Sequence, residues 1–175
     1  MNKSILITGI SGTGKTTIAE EMKKRGFNAY SIEDDIDGLF DMYHTETKQK
    51  ATGHFEQTLD NAKNHDWICD IKMLKELIEK NSNKTTYYFG VASNLKEIIP
   101  FFDELILLTA NEECLRHRLT HRTTNDFGLT SDVQDWVFSW KDWFEDGVKD
   151  FHPIVIDTNK KLDNLVEEIA KIGSR

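Results

Sequence analysis

Residues 4–17 read SILITGISGTGKTT, and within them the pattern G-x-x-x-x-G-K-T runs from Gly9 to Thr16. Glycines at positions 9, 12 and 14 give the backbone the freedom to turn its N–H groups toward an anion. Lys15 is placed to reach the outer phosphates of a nucleotide, and the Thr16 hydroxyl is placed to bind Mg²⁺. The pattern predicts a phosphate-binding loop whose ligands are Gly9, Ser11, Gly12, Thr13, Gly14, Lys15, Thr16 and Thr17.

The sequence on either side of this loop has the pattern that a phosphate loop requires. Residues 4–8 form a short apolar run typical of a buried strand, and residues 16–25 carry Ile18, Ala19 and Met22 at helical spacing. The helix would present its positive N-terminal end to the phosphate oxygens. We therefore interpret the loop as a nucleotide site and not as a glycine-rich turn that matches by accident.

The composition predicts a single domain, residues 1–175, that works on small molecules. A net charge of -8 argues against a broad nucleic-acid surface, which needs a basic face. Cys69 and Cys114 are far apart, as expected of reduced thiols in the cytoplasm. The apolar run after the first residue is too short for a signal peptide or a membrane span. We expect a soluble cytoplasmic protein, either a monomer or a homodimer, with no nucleic-acid or membrane partner.

Strand and helix patterns alternate along the rest of the chain. Such alternation is typical of a parallel sheet with helices on both faces. The fold class predicted is therefore α/β: a three-layer sandwich with about five parallel strands and the P-loop nucleoside triphosphate hydrolase fold. Residues 34–66 are mostly polar and are expected to form a cover over the acceptor side. The further strands are predicted at 27–32, 84–90, 104–109 and 154–156, and the further helices at 38–43, 67–80, 95–102, 111–121, 131–151 and 162–172.

Three consecutive acids, Glu33, Asp34 and Asp35, follow the second predicted strand. Strands 84–90 and 104–109 have no acid directly after them, so the magnesium carboxylate of a P-loop protein has to come from elsewhere. Strand ends in open α/β sheets line the site. These acids are therefore candidates for metal support, Asp34 first, and for the general base that takes a proton from an acceptor hydroxyl. The alternative is a solvated cluster in the first turn of a helix.

Arg118 and Arg122 lie four residues apart, in an R-L-x-x-R pattern on one helix face. Together with the phosphate loop, the acids after the second strand and the polar loop that follows, this pattern resembles the small P-loop kinases of the adenylate kinase, shikimate kinase and gluconate kinase group. The resemblance implies ATP and Mg²⁺ as cofactors, Arg118 on the adenine, Arg122 on the phosphates and residues 122–130 as a lid. It also implies an adenine loop that includes Thr158 and Asn159. On its own, the arginine pair would be a solvated helix face.

No arginine occurs between Arg25 and Arg116, the part of the chain that holds the acceptor in this group. Arginines bind anionic acceptors through a bidentate fork, so their absence favours a neutral acceptor such as a nucleoside or a sugar-like alcohol. Four lysines remain as possible substitutes in a nucleoside monophosphate or shikimate-type kinase: Lys48, Lys50, Lys63 and Lys72. The predicted acceptor ligands are Glu33, Asp34, Trp67, Asp70, Gly90, Ser93 and Asn94.

The residues together predict ATP-dependent phosphoryl transfer to a small-molecule hydroxyl. The residues expected to take part in the transfer are Lys15, Asp34, Asp35 and Arg122. A nucleotide-dependent switch or hydrolase with a protein partner is the main alternative, and a polynucleotide 5′-hydroxyl kinase is disfavoured by the net charge. Trp136, Trp140 and Trp143 form a helical stripe that belongs either to the core or to an aromatic wall over the acceptor.

Overall fold

A five-stranded parallel sheet forms the centre of the protein, with the strand order β2 (Asn28–Ser31), β5 (Thr86–Phe89), β1 (Ser4–Thr8), β6 (Glu104–Thr109) and β7 (Ile154–Asp157). The computed structural model describes residues 2–52, 56–123 and 126–175. A separate two-stranded antiparallel sheet contains β3 and β4. The strands are β1 (Ser4–Thr8), β2 (Asn28–Ser31), β3 (Phe40–His44), β4 (His65–Cys69), β5 (Thr86–Phe89), β6 (Glu104–Thr109) and β7 (Ile154–Asp157).

Helices cover both faces of the parallel sheet, which confirms the predicted three-layer α/β fold. A 3₁₀ turn, Ile99–Phe101, follows the short helix Leu95–Ile98 near Pro100. The helices are α1 (Lys15–Lys24), α2 (Leu59–Asn64), α3 (Ile71–Lys80), α4 (Leu95–Ile98), α5 (Glu112–Thr120), α6 (Ser131–Ser139), α7 (Lys141–Lys149) and α8 (Leu162–Gly173).

Strand β1 lies in the middle of the sheet, paired in parallel with β5 and β6. Its side chains alternate between two cores, as a strand with two buried faces requires. Ile5 and Ile7 pack in the core under α1 and α8, whereas Leu6 packs in the core on the opposite face. All three side chains are fully buried. The loop after β1 is thereby held at the carboxyl edge of the sheet, where open α/β sheets bind their ligands.

The hairpin of β3 and β4 corrects two sequence predictions. Residues 38–43 were expected to be helical, and residues 67–80 were expected to be one helix. Instead, Met42 pairs with Trp67 across the hairpin, and the rings of Phe40 and Trp67 stack with centroids 5.3 Å apart. Helix α3 begins only at Ile71, because the Asp70 side chain accepts a hydrogen bond from the N–H of Met73 at 2.9 Å and caps the helix. Strand pairing therefore overrides the helical spacing of residues 67–70.

The predicted long helix 131–151 is wrong, because it consists of two helices, α6 and α7, that meet at Trp140. The Trp140 backbone leaves the helical region with φ -117° and ψ 6°. The break places the Trp140 ring between Trp136 and Phe144, with edge-to-face centroid distances of 5.6 Å and 6.0 Å. Aromatic packing at the junction thus accompanies the break.

Within the described ranges, no helix is both long enough and apolar enough to cross a membrane.

Candidate active site

The loop between β1 and α1 has the backbone of a phosphate-binding loop. Gly12 and Gly14 have φ values of 89° and 92°, a region that residues with a side chain rarely adopt. Gly9 packs directly against β6, since a Cβ atom there would lie 2.6 Å from the carbonyl oxygen of Leu108. Helix α1 begins at Lys15, so its first N–H groups face the loop.

Lys15 lies at the centre of the charged groups around this loop. Its Nζ donates a hydrogen bond to the carbonyl oxygen of Gly9 at 2.7 Å. Burial lowers the pKa of Lys15, the negative charge of Glu33 opposes that shift, and the positive charge of Arg122 adds to it. Lys15, Glu33 and Arg122 are therefore close enough to influence one another electrostatically.

Glu33 is held by one donor that follows β5 and one donor on β4. Its Oε1 accepts a hydrogen bond from the backbone N–H of Val91 at 2.7 Å, and the Trp67 side chain donates a second one to the carboxylate. Burial raises the pKa of Glu33, whereas Lys15 and these two donors favour the ionised form. The result is a positioned carboxylate at the point where β2, β4 and β5 come together.

The other two acids of the cluster point to different places. Asp34 lines the same cleft as Lys15, and its Oδ2 accepts a hydrogen bond from the Ser31 hydroxyl at 2.7 Å. Asp35 instead accepts from the N–H of Ser31 at 2.6 Å and forms an ion pair with Lys23, in the last turn of α1. It is not among the described residues that line the cleft. The structure therefore does not bring Asp35 to the phosphate loop, contrary to the prediction.

Arg118 links the phosphate loop to the segment that follows β7. Its guanidinium donates to the carbonyl oxygen of Gly12 at 3.3 Å, to Thr158 Oγ1 at 2.9 Å and to the Thr158 carbonyl oxygen at 2.7 Å. Thr158 Oγ1 in turn donates to the carbonyl oxygen of Thr109 at 3.0 Å. Arg118 therefore bridges the phosphate loop and the segment after β7, where the adenine loop was predicted. Asn159 is exposed in that segment and does not line the described cleft.

Arg122 lies inside the cleft near the acids. Burial lowers the pKa of Arg122, and the negative charge of Glu33 opposes the shift. Its Nη1 donates to the carbonyl oxygen of Phe127 at 3.0 Å, so the arginine also holds the segment after α5. Two residues of the predicted lid, Thr124 and Asn125, lie outside the described residues.

Four of the predicted acceptor ligands have structural partners of their own. The Ser93 hydroxyl accepts from the N–H of Trp67 at 3.0 Å, and the Asn94 amide exchanges two hydrogen bonds of 3.0 Å with the backbone of Cys69. Ser93 and Asn94 line the cleft but serve to hold the hairpin of β3 and β4. Asp70 caps α3, and Gly90 packs against Ile32, where a Cβ atom would lie 2.6 Å from Cγ1. Asp70 and Gly90 are not among the described cleft-lining residues.

One continuous cleft, with a volume of about 1390 Å³, joins the phosphate loop to the acceptor side. Residues outside the predicted site also line it: His117 on α5, His121 just after α5, Lys96 on α4 and Phe144 on α7. Only their helical spacing was visible in the sequence, and that spacing does not say which neighbour a helix face meets. The predicted residues that line the cleft are Ser11, Gly12, Thr13, Gly14, Lys15, Thr16, Thr17, Glu33, Asp34, Trp67, Ser93, Asn94, Arg118 and Arg122.

The residues around the loop fit Mg²⁺. Thr16 lies in the first turn of α1, and its side chain lines the cleft. Asp34 offers a carboxylate to the same cleft. No group of three or more His, Cys, Asp or Glu side chains suited to a metal was found among residues 2–52, 56–123 and 126–175. Mg²⁺ does not require such a cage, because it keeps several waters and binds one or two protein oxygens together with nucleotide phosphates.

Comparison with known proteins identifies the family. Residues 5–138 match the family model AAA_18, described as an AAA domain, so the chain belongs to this P-loop family. No curated protein sequence matches the chain.

Solved structures with the same fold are small kinases, which confirms the resemblance at the level of the fold. Shikimate kinase from Acinetobacter baumannii in complex with shikimate has a TM-score of 0.58 and 14% identity, over 98% of this chain and 93% of that one. Deoxyadenosine kinase from M. mycoides with bound dATP has a TM-score of 0.57 and 15% identity, over 99% of this chain and 100% of that one. A gluconokinase from Sinorhizobium meliloti 1021 has a TM-score of 0.52 and 19% identity, over 98% and 93%.

Proposed function

We propose that this protein is an ATP-dependent kinase that phosphorylates a hydroxyl group of a small, uncharged molecule. The observation behind this proposal is the meeting of Lys15, Glu33 and Arg122 in one cleft beside the phosphate loop. A cation on each side of the transferring phosphoryl group and a carboxylate beside the acceptor are the parts that phosphoryl transfer needs. The names of the fold relatives point the same way, since all three are kinases.

Each residue of the site has a role in this reaction. The loop N–H groups and Lys15 bind the β- and γ-phosphates, and Thr16 with Asp34 would hold Mg²⁺, which neutralises phosphate charge when bound. The acceptor oxygen forms a bond to the γ-phosphorus while the bond from that phosphorus to the β–γ bridging oxygen breaks, which releases ADP. Glu33 takes the hydroxyl proton, and Arg122 stabilises the negative charge on the transferring group.

Glu33 is a better candidate for the base than either neighbouring acid. Asp35 faces Lys23, and Asp34 is engaged by Ser31 and is placed to support the metal. Glu33 is half-buried, whereas Asp34 and Asp35 are exposed, and burial raises the pKa of its carboxyl group above the ordinary value, which makes the carboxylate a stronger base.

The charges on the acceptor side support a neutral acceptor. Among the lysines that were candidates for binding an anion, Lys48 pairs with Asp66 at 3.3 Å and Lys50 pairs with Asp41 at 2.7 Å. Lys72 lies within 4.0 Å of Glu76 on α3. Of these four lysines, Lys63 alone is among the described residues that line the cleft. Lys96 also lines it. Neither is an arginine fork of the kind that clamps a carboxylate or phosphate.

The test is ADP formation from Mg-ATP, measured alone and with two pools of acceptors. One pool contains neutral nucleosides, sugars and alcohols, and the other contains nucleoside monophosphates and shikimate. We expect stimulation by the neutral pool and loss of turnover in Lys15→Met. The matched control is Lys24→Met, an exposed lysine on the same helix, which should leave turnover unchanged. Stimulation by the anionic pool alone would contradict a neutral acceptor, and acceptor-independent turnover would favour a hydrolase.

A further inference from the structure

The four tryptophans of the chain, which are spread over three elements, all line the same cleft. Trp67 comes from β4, Trp136 from α6 and Trp143 from α7, and Trp140 lies between these two helices. Tryptophan is a large apolar side chain that normally packs into a core or an interface. Because all four tryptophans line one cavity, we expect this cavity to bind a ligand with a flat face that can stack on an indole ring.

Three of these residues come from α6, α7 and the junction between them, and are here called the aromatic wall: Trp136, Trp140 and Trp143. The rings of Trp136 and Trp140 meet edge to face at 5.6 Å, and Phe144 supports Trp140 from the other side at 6.0 Å. Trp143 is 73% exposed, far more than a core residue would be. The stripe predicted on this helical segment is therefore only partly core, and its exposed end lies at the rim of the cleft.

Two of the tryptophans, Trp140 and Trp67, offer ring surface to the cleft without an accessible, unused indole N–H. The Trp140 Nε1 atom is buried and has no partner within the described ranges, so the accessible part of that side chain is ring carbon. The Trp67 side chain donates its hydrogen bond to Glu33. Its ring is held in place by stacking on Phe40 at 5.3 Å. An indole ring thus lies directly beside the carboxylate proposed as the base.

We propose that the acceptor carries its hydroxyl on a flat, uncharged aromatic or heteroaromatic ring system, as in a nucleoside, and is not an open polyol or a simple sugar. This inference rests on the proposed kinase function. The ring would stack on the aromatic wall, and the hydroxyl would reach Glu33 next to Trp67. Stacking on tryptophan rewards any π face. A polyol or a simple sugar has no π face of its own, so it would gain less from stacking on these indole rings.

The test combines binding with turnover, because every tryptophan of the chain reports on the cleft. With ADP present to fill the donor site, tryptophan fluorescence is titrated with adenosine, cytidine and pyridoxine, and separately with glucose and glycerol. We expect a saturable change in fluorescence with at least one of the aromatic, ring-bearing probes (adenosine, cytidine or pyridoxine). Glucose and glycerol, the polyols, should cause no such change. The same ring-bearing probe should stimulate ADP formation from Mg-ATP.

The decisive variant is Trp143→Ala, which removes an exposed ring and is expected to fold. It should weaken the affinity for the best ring-bearing probe by about five- to tenfold, a typical loss for one stacking partner. Trp143→Phe should keep the affinity within about twofold. The control is Val155→Ala, which removes an exposed apolar side chain on β7, away from the cleft, and should change nothing.

The outcomes separate this inference from the kinase proposal. Saturation and turnover with polyols, or an unchanged affinity in Trp143→Ala, would overturn the aromatic acceptor and leave the kinase standing. Ring-bearing probes that bind in a Trp143-dependent way without being phosphorylated would support the pocket and overturn the kinase. Stimulated turnover with the expected loss in Trp143→Ala supports both.

Discussion

The backbone N–H of Val91 donates a hydrogen bond to Oε1 of Glu33 at 2.7 Å, which joins the end of β5 to the end of β2. This contact fixes the carboxylate beside Lys15 and distinguishes Glu33 from the two acids that follow it. Glu33→Gln keeps the size of the side chain but removes its ability to take a proton. It should lower kcat by about 100-fold or more while the affinity for ATP changes little. Steady-state kinetics with the best acceptor and a nucleotide-binding titration measure the two quantities.

Asp35→Asn is the matched control for that substitution, because Asp35 is adjacent in sequence but pairs with Lys23 outside the cleft. Its kcat should stay within about threefold of the parent value, as expected of a solvent-exposed ion pair. A large loss of kcat in Asp35→Asn together with a small loss in Glu33→Gln would reverse the assignment.

The pH profile should carry the signature of a buried base. Only the ionised Glu33 carboxylate accepts a proton, and burial raises the pKa of this group from its ordinary value of 4.5. Turnover is therefore expected to fall with decreasing pH at a higher pH than an exposed glutamate would give. Trp67→Phe removes a donor that favours the ionised form, so the acidic limb of kcat/KM should move to still higher pH. Trp143→Phe, at the rim of the same cleft, should leave the limb in place.

The phosphate loop and the parallel sheet were predictable from sequence because their signals are local. The apolar run of β1, the glycines at 12 and 14 and the helical spacing of α1 lie within about 20 residues of one another. The hairpin was not predictable, because β3 and β4 pair with each other across a long polar segment. Strand β4, at His65–Cys69, runs directly into the helical pattern of α3. Only the pairing with β3 shows where the strand ends and the helix begins.

The candidate site, too, was predictable where its signals are local and not where they depend on long-range contacts. The sequence places three acids after β2 without saying which one faces the cleft. Ser31 decides this: its N–H binds Asp35, its hydroxyl binds Asp34, and Glu33 is left to face Val91. The partner of Arg118 is Thr158, forty residues further along the chain. Such choices depend on tertiary contacts between distant segments, and no spacing rule contains them.

Arg118 should matter for nucleotide binding, whereas Arg116 should not. Arg118→Ala removes the donors that tie Gly12 to Thr158, so both the loop and the segment after β7 lose a fixed position. We expect the affinity for ATP to fall by about tenfold, because ATP binding would then also have to order the loop and this segment. Arg116 is two residues away and pairs with Glu112 and Asp135 on the surface. Arg116→Ala should change the affinity by less than about twofold. Calorimetric titration with ATP would contradict the prediction if both variants behaved alike.

Gly90 should be intolerant of a side chain although its backbone needs no special angle. A Cβ atom there would lie 2.6 Å from Cγ1 of the fully buried Ile32 and 3.4 Å from Oε1 of Glu33. Gly90→Ala is therefore expected to cost about 1–3 kcal/mol through overpacking, and to lower kcat because Ile32 and Glu33 must shift together. Thermal unfolding should show a Tm lower by about 3–10 °C.

The control is Gly147→Ala in α7, where the new Cβ would lie 3.5 Å from the flexible end of Lys96, an ordinary contact. It should leave Tm unchanged or raise it, because alanine favours a helix. The double variant Ile32→Ala/Gly90→Ala opens space for the added methyl group, so it should be more stable than the sum of the two single changes predicts. Additive losses would show that crowding at Ile32 is not the cause.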